Sequence, residues 1–194
     1  MTQVHRSASQ MRTLSLVYIA VGAALLAVCS FISIPTAVPF TLQVFAVAFN
    51  LVLLGGKRGT ASILVYILLG AAGVPVFAHF TGGIGALLDK SGGYILGFLF
   101  SGLIYWLFEA TLGKKIAVQI AALLLGLVIC YTFGTVWFIV VYTRKIGAVG
   151  LGTVLGWCVT PFVIPDLIKI AAAFVLANRL EPIIGLGRYQ AKSA

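Results

Sequence analysis

Acidic residues are nearly missing from this chain: four Asp and Glu stand against 13 Lys and Arg in 194 residues, and charged residues of all kinds make up 9%. A soluble domain carries about a quarter charged residues, so a solvated globular surface of this size is excluded. Several chemistries are missing with it. No G-x-x-x-x-G-K-[ST] cradles a phosphate; the nearest string, Gly55 to Gly59, lacks the spacing. H-E-x-x-H, a G-x-S-x-G elbow and an acidic cluster for Mg²⁺ are also absent. Cysteine is scarce: Cys29, Cys130 and Cys158 stand alone in apolar stretches, without a C-x-x-C pair or a neighbouring His. They read as buried, reduced packing residues, with no metal site and no cofactor. The net charge of +9 comes without a basic patch interleaved with aromatics, so nucleic acid is not an expected partner.

Apolar residues are what the chain has, at 61%. They fall in six runs, Leu14–Ile34, Val38–Leu54, Thr60–Val76, Gly93–Leu112, Ile116–Tyr142 and Pro161–Asn178. Each is near or above the roughly 17 residues needed to cross a bilayer. They are continuously apolar and lack period-2 alternation, which favours helices over strands. The expectation is an all-α membrane protein of six transmembrane helices. The first run is too long for a signal-peptide core, and Val28 is too large for a lipoprotein cleavage site before Cys29, so the run is retained as a helix. Ile116–Tyr142 exceeds one crossing and is expected to tilt or project. The Gly-broken stretch Ile146–Trp157 reads as a loop with a short interfacial or re-entrant helix. The chain is expected to form one domain over 1–194, with tails at 1–12 and 179–194 around a bundle at 14–178.

Basic residues orient the bundle. With both termini cytoplasmic, the inside holds Arg6, Arg12, Lys57, Arg58, Lys114, Lys115, Arg179, Arg188 and Lys192, against Lys90, Arg144 and Lys145 outside. Nine against three follows the positive-inside rule. Arg144 and Lys145 run against it.

Polar residues inside the runs are the candidate site. Asp166 and Lys169 stand three apart, on one helical face, in the string from Pro161 to Lys169. Each costs about 2.5–3.5 kcal/mol at a helix centre. Pro165 suggests that the sixth helix begins there, with Asp166 in its first turn near the outer interface. The pair is either a structural anchor or the acceptor and donor for a solute carrying both N–H and C=O groups. A Gly-rich outer segment, Gly73 to Tyr94, contains Gly82, Gly83 and Gly92, whose backbone permits a close approach. Phe77, Phe80 and Tyr94 are placed to cover the apolar part of a ligand, and Lys90 and Ser91 to meet a carboxylate; a tight membrane turn uses the same glycines. Lone His79 reads as a packing or interfacial residue. Gln43 donates and accepts, to a ligand or to another helix, and Asn50 to another helix. Ala20 and Ala24, or Ala23 and Ala27, form small-xxx-small faces for packing within the bundle or for a partner. Glu109 is expected to meet Lys114 or Lys115.

The strings Pro39–Gln43, Gly73–Phe77, Phe80–Gly83, Ser91–Phe98, Gly134 with Trp137, and Pro161–Lys169 occur in an order that resembles the BioY family. These are the biotin-specific substrate-binding (S) components of energy-coupling factor (ECF) transporters. The resemblance implies the S-component fold in the cell membrane and a high-affinity biotin site near the outer face. It implies as partners a transmembrane coupling protein and two cytoplasmic ATPases. By motif match Asp166 and Lys169 would bind biotin, with the valerate carboxylate toward Lys90–Tyr94. Ala20 and Ala24 would form the face for the coupling protein. The rival functions are an autonomous secondary transporter and, from another class, an intramembrane enzyme using Asp166 as base.

Overall fold

The computed structural model describes residues 8–184, so the expected tails lie largely outside the described residues, as do Arg6, Arg188 and Lys192. The elements run α1 (Ala8–Phe31), β1 (Ser33–Ile34), β2 (Phe40–Thr41), α2 (Gln43–Leu54), α3 (Gly56–Ala71), a 3₁₀ turn at Ala78–Phe80, α4 (Ile84–Leu87), α5 (Gly92–Leu112), α6 (Ile116–Lys145), α7 (Leu151–Cys158) and α8 (Thr160–Ile184). Each of the six apolar runs contains one helix: α1, α2, α3, α5, α6 and α8. Four helical stretches are long and apolar enough to cross a bilayer: Ser9–Phe31, Gly92–Leu112, Ile116–Lys145 and Leu151–Ile184.

The other two are shorter than their runs, for local reasons. Pro35 and Pro39 remove backbone donors, so the chain between Phe31 and Gln43 leaves the helix. It forms instead an antiparallel pair, Ser33 opposite Thr41 and Ile34 opposite Phe40. That ends the first helix at Phe31 rather than Ile34 and delays the second until Gln43. The second helix stops at Gly55, whose φ of 81° lies in the region that favours glycine. Twelve residues give α2 a length of about 18 Å, well short of a bilayer core of roughly 30 Å. It is apolar on all sides and mostly buried, as expected of a helix enclosed by others. α8, α3 and α1 pack around it, while α5 and α6 form the most extensive helix pair.

The sixth helix departs from expectation at its start. It begins at Thr160, with Pro161 in the first turn and Pro165 inside the helix. α7 feeds into it across a break at Val159 (φ −124°, ψ −59°), realising the short helix expected near Ile146–Trp157.

Large apolar side chains such as Leu16, Val21, Leu107, Val128, Val136 and Ile168 are exposed on the outer helix faces. A water-soluble chain would bury such a belt; hydrocarbon accommodates it. Ala23 and Leu26 of α1 turn inward, whereas Ala20 and Ala24 are exposed beside Val17 and Val21. Gly22 lets α1 approach α2 and α3 closely: Asn50 Nδ2 donates to its carbonyl at 2.9 Å and to Ser62 Oγ at 3.2 Å. At one end of the bundle Lys114 pairs with Glu109 at 3.1 Å, and Glu109 also accepts from the Gly56 amide. Lys57, Arg58 and Lys115 lie at that same end. At the other end Lys145 pairs with Asp89 at 3.0 Å, which gives a cation on the expected outer side a local counter-charge.

Candidate functional site

A cavity of about 370 Å³ opens at the end away from the basic cluster, within the size range of small-molecule sites. It sits over the short α2. The strand turn, the α3–α5 connection, the first turns of α5, the middle of α6 and the first half of α8 wall it in. All three cysteines are buried and unpaired, and Cys130 and Cys158 are part of the wall.

Its charged centre is the pair read from the sequence. Lys169 Nζ lies 2.8 Å from Asp166 Oδ1, and the two residues are 8% and 2% exposed. Pairing alone does not satisfy them, and the fold supplies more. Lys169 also donates to the Thr41 carbonyl at 2.7 Å and lies 3.8 Å from the centre of the Phe40 ring. The β1–β2 pair makes this possible, because it holds Phe40 and Thr41 extended over α8; the Leu42 amide donates to the Cys29 and Ile32 carbonyls at 3.2 and 3.3 Å. On the far side Tyr131 of α6 donates its hydroxyl to Asp166 Oδ2 at 2.7 Å. Both carboxylate oxygens are thereby engaged, and each keeps a lone pair for a further donor.

Gln43 is buried in the wall. Its Nε2 donates to the Tyr66 hydroxyl at 2.7 Å, and its Oε1 accepts from Thr41 Oγ1 at 3.1 Å. Tyr94 lines the cavity from α5. Its hydroxyl meets Thr135 Oγ1 at 3.2 Å, and its ring lies over Gly134, where a Cβ would come within 2.3 Å. Lys90 and Ser91 also line it, with Lys90 Nζ 5.9 Å from the Tyr142 ring centre. Asp89 beside them is drawn onto α6 by Lys145 and by Trp137 Nε1, which donates to its backbone carbonyl at 3.0 Å. Partial burial raises the Asp89 carboxyl, but the hydrogen bond and charge of Lys145, with help from Lys90, prevail and hold it below the usual carboxylate range. Phe77, Phe98 and Phe162 supply the aromatic wall.

Four expected contacts do not reach the cavity. Phe80 is 66% exposed and its ring stacks on Phe31 at 4.3 Å. Gly82 and Gly92 serve close backbone packing, because a Cβ would meet the Val74 and Leu87 carbonyl oxygens at 2.4 and 1.8 Å. Gly83 has φ 88° and donates its amide to the Gly70 carbonyl at 2.7 Å. These residues shape the connection rather than line it. His79 does line the rim, exposed and with a left-handed backbone (φ 57°), as is Phe80 (φ 56°). Such strain at non-Gly residues is concentrated at ligand clamps and switches. Sequence reasoning also passed over Tyr131, Thr41, Phe40 and Phe162. The available signal was Tyr131's hydroxyl inside an apolar run, since a buried Tyr O–H needs a partner. Among the described residues no group of three or more His, Cys, Asp or Glu gathers to hold a metal.

Comparison with known proteins points the same way. Residues 2–185 match the BioY family. A probable biotin transporter BioY of Pyrococcus horikoshii is 42% identical over 74% of this chain and 81% of its own length. The biotin transporter BioY of Thermotoga maritima is 41% identical over 82% of this chain and 91% of its own. Among solved structures, the S-component for biotin from an ECF-type ABC transporter superposes with a TM-score of 0.77 at 26% identity, covering 91% of this chain and 95% of that one. With a family match over nearly its whole length and relatives of this identity and coverage, the chain belongs to the BioY family.

Proposed function

We infer that this chain is the biotin-binding S component of an ECF-type importer, a multi-pass membrane protein and a transport subunit rather than an enzyme. The observation that carries the reading is a buried Asp–Lys pair, steadied by Tyr131 and the Thr41 carbonyl yet keeping acceptor capacity, beside a vitamin-sized cavity, in a chain of this family. A charge pair serving only the fold has no need of a cavity. The ureido group of biotin offers two N–H donors and a strong carbonyl acceptor, which suit a carboxylate and an ammonium side by side. Gln43 is the neutral polar neighbour, and Phe77, Phe98 and Phe162 cover the sulfur ring. The valerate carboxylate turns to Lys90 and Ser91, beside Tyr94. Phe80, Gly82, Gly83 and Gly92 act through the fold of the connection.

The chain works as one membrane domain over 1–194 with both termini cytoplasmic, because the basic cluster then faces inward and the cavity outward. A transmembrane coupling protein and two cytoplasmic ATPases complete the importer, with the exposed Ala20–Ala24 face meeting the coupling protein. Biotin enters from outside, the 80–94 segment closes over it, and ATP-driven movement of the partners delivers it to the cytoplasm. Closure is favoured only by the better contacts that biotin makes in the closed state.

Biotin binding to the detergent-purified chain, with Asp166→Asn and Lys169→Ala beside wild type, tests the reading. The expected result is tight, unaltered biotin on wild type and a large loss in both variants. Folded wild type that binds no biotin overturns the function, and unchanged affinity in both variants overturns the site. Biotin uptake into liposomes containing this chain alone, driven by an ion gradient, would favour autonomous transport.

A further inference from the structure

The mouth of the cavity carries one charge of the wrong sign for a ligand with a carboxylate. Lys90 lines the cavity, and so does Asp89, its neighbour in the chain. Of the four acidic residues in the sequence, Asp89 is the one at this mouth. Glu109 and Glu181 lie in the last turns of α5 and α8, at the opposite end, and Asp166 is buried against Lys169. An acid beside Lys90 is a ready counter-charge for it, and so a competitor for any carboxylate that a ligand brings.

That competitor is engaged elsewhere. Lys145, at the end of α6, places Nζ 3.0 Å from Asp89 Oδ1. The Asp89 carbonyl is held as well, accepting from Trp137 Nε1 of α6 and from the Gly92 amide, each at 3.0 Å. Gly93 seats the start of α5 against Trp137, where a Cβ would come within 2.3 Å of the side chain. Among the described residues Lys90 has no carboxylate within ion-pair distance. Its ammonium lies 5.9 Å from the centre of the Tyr142 ring, a contact weaker than a charge-assisted hydrogen bond. A cation in the last turn of α6 suits the helix dipole, which accounts for the charge of Arg144 and Lys145 but not for the partner that Lys145 takes.

We propose that Lys145 is a positioning residue for an anionic ligand: by holding the Asp89 carboxylate on α6, it leaves the Lys90 ammonium free for the carboxylate of the ligand. Lys145 does not line the cavity, so it acts through Asp89 and Lys90. Selectivity follows from the arrangement. A solute with a free carboxylate is favoured over the same solute with that end neutralised, because only the former uses the charge that Lys145 keeps available.

Because this rests on the biotin reading above, the test titrates the purified full chain with biotin and with biotinamide, which keeps the rings and neutralises the carboxylate. The Lys145 side chain is 56% exposed, so its replacement leaves the core packing untouched. At low ionic strength Lys145→Met should weaken biotin by about three- to fivefold and leave biotinamide unchanged. Lys145→Arg, which keeps the cation, should bind as wild type does. Adding Asp89→Asn to Lys145→Met should restore biotin binding, because the released competitor is then gone. In a Lys90→Met background Lys145→Met should cost nothing further, as expected of a residue that acts through Lys90. Unchanged biotin affinity in Lys145→Met, an equal loss of biotinamide, no rescue by Asp89→Asn, or the same loss without Lys90 would each overturn the proposal. Wild type that binds biotin and biotinamide equally overturns both the place of the carboxylate at Lys90 and this role of Lys145. Wild type that binds no biotin overturns the biotin reading itself, and the proposal with it.

Discussion

Removing one member of the buried pair should cost far more than removing both. In Lys169→Met the Asp166 carboxylate keeps Tyr131 as a donor but loses its cation, at 2% exposure. An uncompensated charge at such a depth costs about 3–5 kcal/mol. The Thr41 carbonyl also loses the Lys169 donor, adding roughly 1 kcal/mol. In Asp166→Leu with Lys169→Met no charge is left behind, so the larger penalty is gone, and what remains is the unpaired Thr41 carbonyl and Tyr131 hydroxyl, about 1 kcal/mol each. Thermal unfolding in detergent should therefore place the single variant well below wild type and the double variant between the two. Biotin titration should show both without binding. That combination separates an anchor of the fold from a site for a ligand. A double variant as unstable as Lys169→Met would refute the reasoning about uncompensated charge, and one that binds biotin like wild type would refute the site.

Other consequences can be measured independently. Gly70→Ala should unseat Phe77, since the new methyl falls inside the ring's volume; overpacking of this kind costs about 1–3 kcal/mol, read as a lower melting temperature together with weaker biotin binding. Asp89 is an acid held below its ordinary value, so the Lys145 tether contributes fully above the unfolded Asp value of about 4 and is lost as pH falls through the lower, folded one. Trp137, bonded to the Asp89 carbonyl, should report that loss as a red-shifted emission when the other tryptophans are replaced by Phe, and Lys145→Ala should already show it at neutral pH. Ala24→Leu adds bulk on an exposed face of α1, so biotin binding in detergent should persist while co-purification with the proposed coupling protein and ATPases falls. Normal assembly of that variant would move the docking face elsewhere.

Asp166 and Lys169 were legible in the sequence because a charge in an apolar helix is costly wherever the helix sits, so its presence is informative before any fold is known. Asn50 was legible for a milder version of the same reason, and it does bond across to α1 and α3. Tyr131 and Tyr66 were not, because a tyrosine in an apolar run carries no comparable penalty and its importance lies in which hydroxyl or carboxylate stands opposite. Phe80 and the glycines near it read from sequence as ligand contacts because the composition of a turn does not say which way its side chains face. That direction follows from Phe77 dropping onto Gly70, a contact between residues whose pairing no local pattern announces. Pro165 by itself marks a helix start, whereas the start lies at Thr160, because packing from α7 and the rest of the bundle tolerates a proline near a helix end.

By itself the sequence determined that this chain lives in a membrane, that it is helical there, and which end of the bundle is basic. Each of those is a sum over single residues of the cost of meeting hydrocarbon or water. Only the tertiary structure decided that α2 is short and enclosed, that the strand pair delivers the Thr41 carbonyl to Lys169, and that a cavity opens above them. A cavity is the space left where distant segments stop short of one another, and no residue's own hydropathy records where its neighbours end.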